Sequence, residues 1–391
     1  MTPARSTFGS QSSLREANGE RLLEAIRQFG SITQVELSGA TGLSPATVST
    51  IVRQLIAAGT VETRNTIRNG RRAQLVTLAH RSGLLVGLQI GARSLRVAIS
   101  DTSFEFLDQR ELPLPIDHRY DTTLDRAAVL ICELTEELGS TLSEILAVGI
   151  GLPAPVDPLT QTISVPGILR GWEDVNAAQI LRERLGCVTV VDNDANLGAL
   201  GEMRFGAGRG LKDVVYVRAS HTVGAGIVVN GSILHGALGM AGEIGHSLID
   251  PQGPICRCGS RGCLNTKCSA DALIESLRHA HAPTTLTDIL SLAEAGDPGC
   301  QQVLIDAGAA IGGVIANTAV SLSPQAILVG GDLAGVGDLF IDPIREAVRR
   351  RVILAHSEDL LIQTAELGSA AELYGALALA ADHANVTTSN S

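Results

Sequence analysis

The sequence predicts an α/β protein in two parts, an N-terminal winged helix-turn-helix and a larger two-lobed α/β body. Residues 13–82 carry signals for a helix, a glycine turn, a further helix and a hairpin, in that order. Residues 83–391 alternate between strand-like and helical segments, which is typical of an α/β fold. Three cysteines and one histidine in this second part have the spacing of a metal site. Residues 1–12, rich in serine and threonine, are expected to be flexible.

Composition indicates a globular protein of the cytoplasm. The chain of 391 residues is 45% hydrophobic but only 3% aromatic, so its cores must consist mainly of aliphatic side chains. No apolar run is expected to span a membrane, and the N-terminus lacks a signal-peptide pattern. Seven cysteines, an odd number, fit a reducing compartment better than a disulfide scaffold. We therefore expect a cytoplasmic protein without a membrane partner.

Charge is divided unevenly along the chain. Residues 1–82 contain ten arginines, no lysine and five glutamates, a net charge of +5, whereas the remainder has a net charge of −16. A basic head on an acidic body predicts that only the head approaches a polyanion, and double-stranded DNA is the expected one. The alternatives are ordinary variation of surface charge and a small helical protein-interaction domain.

Two helices are predicted before the turn of the head. Apolar positions at helical spacing indicate the first helix over Ser13–Phe29. Thr33 followed by Glu36 has the form of a capping box at the start of a short second helix. This second helix is expected to end at Ala40, before a turn that contains Gly42.

The third helix is predicted to enter the major groove of DNA. Ser44 and Pro45 are typical of an N-cap and a first helical residue, and the helix is expected to continue to Gly59. It takes the place of the second helix of a helix-turn-helix. Its apolar face is expected in the core and consists of Val48, Ile51, Val52 and Leu55. The residues expected to face DNA are Ser44, Ala46, Thr47, Ser49, Thr50 and Arg53.

A β-wing is predicted to follow, from Val61–Arg64 through a turn at Arg68–Arg72 to Gln74–Leu78. The Asn-Gly pair within that turn is a hairpin signal. Arg71 and Arg72 at the tip are expected to contact phosphates or to enter a minor groove.

The body is predicted to contain alternating strands and helices. The strands are expected at Leu84–Ile90, Leu95–Ser100, Leu146–Leu152, Val188–Asp192, Val214–Ala219, Gly226–Val229 and Ala326–Val329. The helices are expected at Thr123–Leu138, Ala177–Leu185, Ala307–Leu322 and Ala370–Asp382. No short repeat of a solenoid is present, so the pattern favours a fold of two lobes.

Four soft metal ligands fall within eighteen residues of the body. They are His246, Cys256, Cys258 and Cys263. The intervening glycines let the backbone bring the sulfurs to one ion, and a Cys3His set suits one structural Zn2+ per chain. The alternatives are thiols that are close by chance and a redox role, which the lack of a Cys-x-x-Cys motif disfavours.

The residues around this cluster resemble those of the ROK family of repressors, open reading frames and kinases. The runs Glu243–His246 and Cys256–Cys263 look like the zinc signature of that family, and Val191–Asn196 resembles its catalytic strand-turn-helix. With its winged head, the chain is similar to the transcription-regulator branch of the NagC/XylR type. The resemblance implies an actin-like, hexokinase-like body with a cleft between two lobes.

The resemblance also implies a set of sugar-binding residues. They are Asn193, Asp194, Glu243 and His246, with Asn265 where the family has a glutamate. In the family's sugar kinases the aspartate that matches Asp194 accepts the proton of the sugar hydroxyl. His246 would place one ring nitrogen on zinc and the other toward the sugar. Asp194 or Asn193 could instead cap the helix that follows.

Two phosphate loops depart from the kinase pattern. Where the family reads Asp-x-Gly-Gly-Thr-Lys, Gln89–Ser94 lacks the carboxylate for magnesium and has the methyl group of Ala92 instead of a glycine. Where the family reads Gly-Thr-Gly-x-Gly, Ser220–Gly224 has lost two glycines. Gly330–Asp332 resembles a nucleotide-side turn, although a plain strand-to-helix connection is the better interpretation. We therefore expect no catalysis and regard Asp194 as a vestigial base.

These observations together predict a transcriptional regulator, most simply a repressor, whose body senses a sugar or sugar derivative. A homodimer or a dimer of dimers would match a palindromic operator. Two alternatives stay open: an ATP-dependent sugar kinase that also binds DNA, and a regulator whose body serves only for dimerisation.

Overall fold

The computed structural model describes residues 11–29, 32–57, 60–68, 71–78, 83–279, 285–351 and 360–388. The chain divides into two compact units. The first is Met1–Gly83 with Asp101–Glu105, and the second is Leu84–Ser100 with Phe106–Ser391. We call the part before Gly83 the head and the second unit the body.

The head contains three helices and a three-stranded antiparallel sheet. Its elements are α1 (Gln11–Phe29), β1 (Ile32–Thr33), α2 (Gln34–Thr41), α3 (Pro45–Ala57), β2 (Val61–Arg68) and β3 (Arg71–Leu78), with strand order β1-β3-β2. The predicted capping box is present, because Thr33 and Glu36 exchange hydrogen bonds at the start of α2. Gly42 ends α2 with a φ of 69°, a left-handed conformation that glycine adopts without strain.

Two predictions in the head need correction. The helix α1 begins at Gln11, so the segment expected to be flexible includes two helical residues; residues 1–10 lie outside the description. The predicted turn at Arg68–Arg72 is too wide, because Arg68 pairs with Arg71 and both belong to strands. The apolar alternation from which the strands were predicted fades toward the hairpin, whereas backbone pairing continues. Asn69 and Gly70 lie outside the described residues.

The first lobe of the body is built on a five-stranded sheet in the order β6-β5-β4-β7-β8. Its elements are β4 (Leu84–Ile90), β5 (Ser94–Ser100), β6 (Phe106–Pro113), α4 (Tyr120–Glu137), β7 (Ile145–Leu152), α5 (Ala177–Leu185) and β8 (Val188–Asn193). The strands β4, β7 and β8 are parallel. Aliphatic side chains of β4, β5 and β7 form one core with α4 and α5.

The second lobe has a sheet in the order β11-β10-β9-β12-β13. Its strands are β9 (Val214–Ala219), β10 (Val223–Val229), β11 (Ser232–Ile233), β12 (Ala326–Gly330) and β13 (Leu361–Thr364). The helices α7 (Asn265–Cys268), α8 (Ala270–Leu277), α9 (Leu286–Glu294), α10 (Pro298–Leu322) and α11 (Asp338–Arg351) lie between β11 and β13 along the chain. One continuous core joins this sheet to these helices.

Two helices cross each other between the two sheets, with their backbones nearly in contact. The helix α6 (Asp194–Phe205) packs on β9 and β10, whereas α12 (Ala371–Thr388) packs on β4 and β7. A Cβ atom on Gly375 would lie 1.8 Å from the Leu197 carbonyl oxygen, and one on Gly201 would lie 2.3 Å from the Ala371 carbonyl oxygen. Glycine is therefore required at both positions for the helices to approach this closely.

The helix α10 departs from two expectations. It begins at Pro298 with an Asp297 cap, nine residues earlier than predicted, because its first turns are too polar to show apolar periodicity. Its length and mean hydropathy would also let it cross a membrane, although no membrane-spanning run is predicted from the sequence. However, 56% of its most apolar stretch is buried inside the body, where it packs against α11. We therefore interpret it as a core helix.

Candidate functional sites: head, metal centre and ligand cleft

The solvent-facing side of α3 carries the residues predicted to contact DNA. Ser44 caps the helix, since its Oγ accepts a hydrogen bond from the Thr47 backbone N–H at 3.2 Å. Ala46, Thr50 and Arg53 are exposed and share one helix face, while Thr47 and Ser49 are half-buried beside them. The opposite face is in the core, where Val48, Ile51 and Val52 are buried and Leu55 is partly buried.

The hydrogen bonds of this face limit what it can present to a partner. The Thr50 hydroxyl donates to the Ala46 carbonyl at 2.9 Å, so its hydrogen is already used within the helix. Arg53 donates through Nε to the Ser49 carbonyl at 3.3 Å, and its guanidinium remains exposed. Gln54 is not among the residues that the sequence predicts to face DNA, yet it is exposed, four residues after Thr50. An amide there suits the edge of an adenine.

The wing is described only through its backbone near the tip. Arg71 and Arg72 are the first residues of β3, where they pair with Arg68 and Ile67 of β2. Their side chains lie outside the description, so their predicted DNA contacts stay a prediction.

The four predicted metal ligands come together in one loop system. Their ligand atoms all lie within 4.8 Å of one another. The Sγ atom of Cys256 lies 3.6 Å from His246 Nδ1, and the Sγ atoms of Cys258 and Cys263 lie 3.7 Å apart. A tetrahedral ion with bonds of about 2.3 Å separates its sulfurs by about 3.8 Å. The donor set and its spacing therefore fit a four-coordinate soft metal.

Backbone turns position these ligands. Isolated bridges join Leu248 to Cys263 and Ile255 to Arg261, and they close the loop on itself. Gly262 has a φ of 66°, and a Cβ there would lie 1.6 Å from the Asp250 carbonyl oxygen. No other residue type fits at this position, which explains a glycine directly before the last ligand.

The thiols of the cluster differ in proton affinity. Burial raises the pKa of Cys263 to about 12. Burial also acts to raise the pKa of Cys258, but hydrogen bonds from the Ser260 backbone and from the neighbouring thiols outweigh it, and that pKa is lowered. A metal that binds here must therefore displace a tightly held proton from Cys263, which makes its binding pH-dependent.

His246 lies between the other ligands of the metal cluster and Glu243 of the predicted sugar site. Its Nδ1 faces Cys256, whereas its Nε2 lies 3.9 Å from Glu243 Oε2. Burial raises the pKa of Glu243 to about 7, and the nearby Asp194 charge adds to this rise. Glu243 thus faces His246 and lies close enough to Asp194 for the two carboxyl groups to interact.

The side-chain amides of the predicted sugar site already form hydrogen bonds with backbone groups of the protein. The Asn193 Oδ1 caps α6 by accepting hydrogen bonds from the Ala195 and Asn196 backbones, and its Nδ2 donates to the Ala154 carbonyl. Asn265 accepts a hydrogen bond from the Val223 backbone at 2.8 Å. Asn193 therefore performs the capping role that the sequence left as an alternative.

Asp194 is held by an arginine that sequence reasoning missed. The Arg218 Nη1 lies 3.4 Å from Asp194 Oδ2, and the Arg218 Nε donates to Glu372 Oε1 at 2.9 Å. Asp194 and Glu372 are buried, the Arg218 side chain is 11% exposed, and Asp194 Oδ2 has no hydrogen-bond partner among the described residues. The sequence does contain a signal for the position of Arg218. Arg218 lies two residues after the buried Tyr216 on β9, so both side chains are on the same face of the sheet.

A second missed pair joins the two lobes. His235, which follows β11, places Nε2 2.8 Å from Asp192 Oδ2 at the end of β8. The other oxygen of Asp192 accepts hydrogen bonds from the backbone of Asn193 and the amide of Asn196. The hydrogen bond to Asp192 raises the pKa of His235.

The two altered phosphate loops line an open pocket of about 220 Å³. Three arginines enter it, and each faces a carboxylate: Arg93 faces Asp271 at 3.7 Å, Arg96 faces Glu111 at 4.0 Å and Arg218 faces Glu372. The Ser220 hydroxyl donates to Asp332. Each arginine of the pocket thus has a carboxylate neighbour within 4.0 Å.

Comparison with known proteins agrees with this architecture. Residues 85–383 match the ROK family, and residues 15–62 match a winged helix-turn-helix DNA-binding domain. The xylose repressor of Bacillus subtilis is 28% identical over 382 residues, which cover 96% of this chain and 98% of that protein.

Two solved structures resemble the chain. A ROK family transcriptional regulator, a homologue of Escherichia coli Mlc, has a TM-score of 0.72 at 26% identity and covers 95% of this chain and 96% of its own. A ROK family glucokinase from Streptomyces griseus, in complex with glucose and AMPPNP, has a TM-score of 0.69 at 28% identity. It covers 77% of this chain and 100% of its own. Regulators and kinases are therefore both relatives.

Proposed function

The chain belongs to the ROK family, and from that premise we propose that it is a DNA-binding transcriptional repressor of sugar-related genes. Residues 13–82 are proposed as the DNA-binding domain, and residues 83–391 as the domain that senses a sugar and dimerises. The observation that carries the proposal is the similarity to a xylose repressor over nearly the whole of both chains. The glucokinase, by contrast, covers 77% of this chain.

The mechanism that we propose is linkage between the cleft and the head. A sugar that binds beside Asp194 and Glu243 stabilises one arrangement of the two lobes. In a homodimer, that arrangement changes the spacing of the two heads, and DNA half-sites about one helical turn apart no longer match. The sugar must bind the two arrangements with different affinity, since otherwise no coupling arises.

Zinc is the metal that suits the Cys3His set best. His246, Cys256, Cys258 and Cys263 would hold it, and it would stabilise the fold of their loop. His246 could at the same time donate or accept a hydrogen bond through Nε2 on the cleft side. The ring would thereby be oriented for the ligand by the metal on its other nitrogen.

The test is a DNA-binding titration with a panel of sugars. Fluorescence anisotropy of a labelled fragment from upstream of the chain's own gene is measured with D-xylose, D-glucose, N-acetylglucosamine and the 6-phosphates of the two hexoses. We expect binding in the nanomolar range that one of these compounds changes at least about fivefold. No preference for this fragment over scrambled DNA, with the metal present, would contradict the proposal.

A sugar kinase that also binds DNA is the second candidate, since Asp194 is retained at the family's base position. A coupled assay of ATP consumption over the same sugars separates the two. We expect no turnover, because the cations of the phosphate pocket face carboxylates. Turnover that disappears in Asp194→Asn would establish the kinase instead.

A further inference from the structure

Arg218 is the one cation that reaches the buried carboxyl group of Asp194 among the described residues. It projects from β9 to the place where α6 and α12 begin, and each of these helices contributes one carboxylate. Asp194 is the first residue of α6 and Glu372 is the second residue of α12. The three side chains are between 4% and 11% exposed, so water does little to screen their charges.

The geometry of this group needs a guanidinium. The Nε of Arg218 donates to Glu372 at 2.9 Å, and a different nitrogen, Nη1, faces Asp194 at 3.4 Å. An ammonium group is a single point charge at the end of a flexible stem, so it would satisfy one carboxylate at the expense of the other. Because the distance to Glu372 is the shorter of the two, we infer that Glu372 is the partner that fixes the orientation of Arg218.

We propose that Arg218 is a positioning residue of the ligand cleft, which keeps the Asp194 carboxylate ionised and fixed as a hydrogen-bond acceptor for a sugar hydroxyl, while Glu372 holds Arg218 in place. This inference rests on the proposed sugar-sensing function. It also explains why the proposed sensor would not catalyse phosphoryl transfer. A carboxylate whose charge is compensated by an adjacent guanidinium has less affinity for the proton of a hydroxyl.

The charges that face this group come from four elements. Besides Arg218 on β9 and Glu372 on α12, the charge of Asp194 acts on Glu243 of the segment after β11, and Asp332 after β12 acts on Arg218. The titratable groups Tyr216 of β9 and His221 also face Arg218. One arginine therefore lies among four acidic groups. Burial raises the pKa of Asp194, and the Arg218 charge opposes that rise.

The sign of the pH effect follows from this balance. An acid whose pKa is higher in the folded than in the unfolded protein loses stability as the pH rises, because its ionised form is unfavourable when buried. Removal of Arg218 raises the pKa of Asp194 and of Glu372 further. The variant Arg218→Met should therefore lose most stability at high pH, where both carboxyl groups must ionise without a cation.

The first experiment is thermal unfolding of the full zinc-loaded chain at about pH 5 and about pH 8. We expect Arg218→Met to unfold about 5–10 °C below the wild type at the higher pH, and at most half as far below it at the lower pH. Adding Asp194→Asn and Glu372→Gln to it should abolish the pH dependence of the difference. The matched control is Arg350→Met, an exposed arginine of α11 paired with Glu346. A deficit of Arg218→Met that is equal at both pH values would show a purely structural role and overturn the proposal.

The second experiment measures sugar affinity by calorimetry with D-xylose, D-glucose and N-acetylglucosamine. In the wild type the affinity should vary little between about pH 6 and pH 8, whereas in Arg218→Met it should fall at least about tenfold at the lower pH, where Asp194 takes up a proton. Arg218→Lys should recover part of the loss. Unchanged affinity in Arg218→Met would refute the positioning role. If the wild type binds no sugar, the proposed function fails and the ligand role of Arg218 fails with it, while the unfolding experiment still decides the charge balance.

Discussion

His235 of the second lobe and Asp192 of the first lobe lie 2.8 Å apart, nitrogen to oxygen, next to the turn that carries Asn193 and Asp194. The raised pKa of His235 means that the folded protein binds this proton more tightly than the unfolded chain does. The stabilisation is therefore complete below the ordinary histidine pKa of about 6.5 and is lost as the pH rises through the folded value.

His235→Gln should accordingly lower the melting temperature more at about pH 6 than at about pH 8.5. The side chain is one-third exposed, so screening limits the effect to roughly 1–3 °C. Thermal unfolding at both pH values measures it. The control is His383→Gln, an exposed histidine of α12. Equal deficits at the two pH values would rule out an ionic contribution of His235.

Replacement of Cys258 by serine should release the metal from the body. Elemental analysis should find about one zinc ion per wild-type chain and far less in the variant, and the variant should unfold at a lower temperature. Cys132→Ser, a half-buried thiol of α4 outside the cluster, serves as the control. A wild-type protein that is fully folded and contains no metal would exclude the structural zinc.

Arg71→Ala and Arg72→Ala should weaken operator binding and reduce its salt dependence. Each lost phosphate contact lowers the slope of log K against log salt by about 0.9. Anisotropy titrations between about 50 and 200 mM salt give this slope. Arg350→Ala, on the surface of the body, should leave it unchanged. A slope that both wing variants share with the wild type would mean that the wing does not contact phosphates.

Thr33→Ala should destabilise the head by about 1 kcal/mol, because α2 loses its N-cap and Glu36 loses its reciprocal partner. Hydrogen exchange of α2 in the full chain reports this locally. Thr50→Ala is a suitable comparison, since that hydroxyl bonds only to its own helix, and a change within about 0.5 kcal/mol is expected. If Thr33→Ala were no more disruptive than Thr50→Ala, the capping box would not contribute to stability.

Gly375→Ala should destabilise the body by about 1–3 kcal/mol or more, because the new methyl group overlaps the Leu197 carbonyl. Urea unfolding measures the change. Gly335→Ala, which has no heavy atom within 4 Å of the new methyl group, should alter stability by less than about 0.5 kcal/mol. Similar stability of the two variants would argue against the close approach of α6 and α12.

The sequence predicted elements that have a strong local signal. The strand Leu84–Ile90, the capping box at Thr33 and the cysteine cluster were all recognised because propensity, burial and spacing agree within a few residues. The edge strand Phe106–Pro113 was missed, since its side chains are half-buried or exposed and its apolar alternation is weak.

Contacts between distant segments were beyond local reasoning. Arg218 and Glu372 are separated by 154 residues, and only the fold brings them to Asp194. The ion pair between His235 and Asp192 has the same origin. Both pairs lie beside residues of the predicted sugar site. The sequence motif therefore predicted where the site is, but not the side chains that set its charge.

The backbone contact between α6 and α12 restricts how the lobes can move. With the Leu197 carbonyl against Gly375, sliding one helix along the other would bring their backbones into overlap, so rotation about this contact is the motion that it leaves open. Asp194 lies about one helical turn from Leu197 on α6, so a ligand bound at Asp194 would act close to the axis of that rotation.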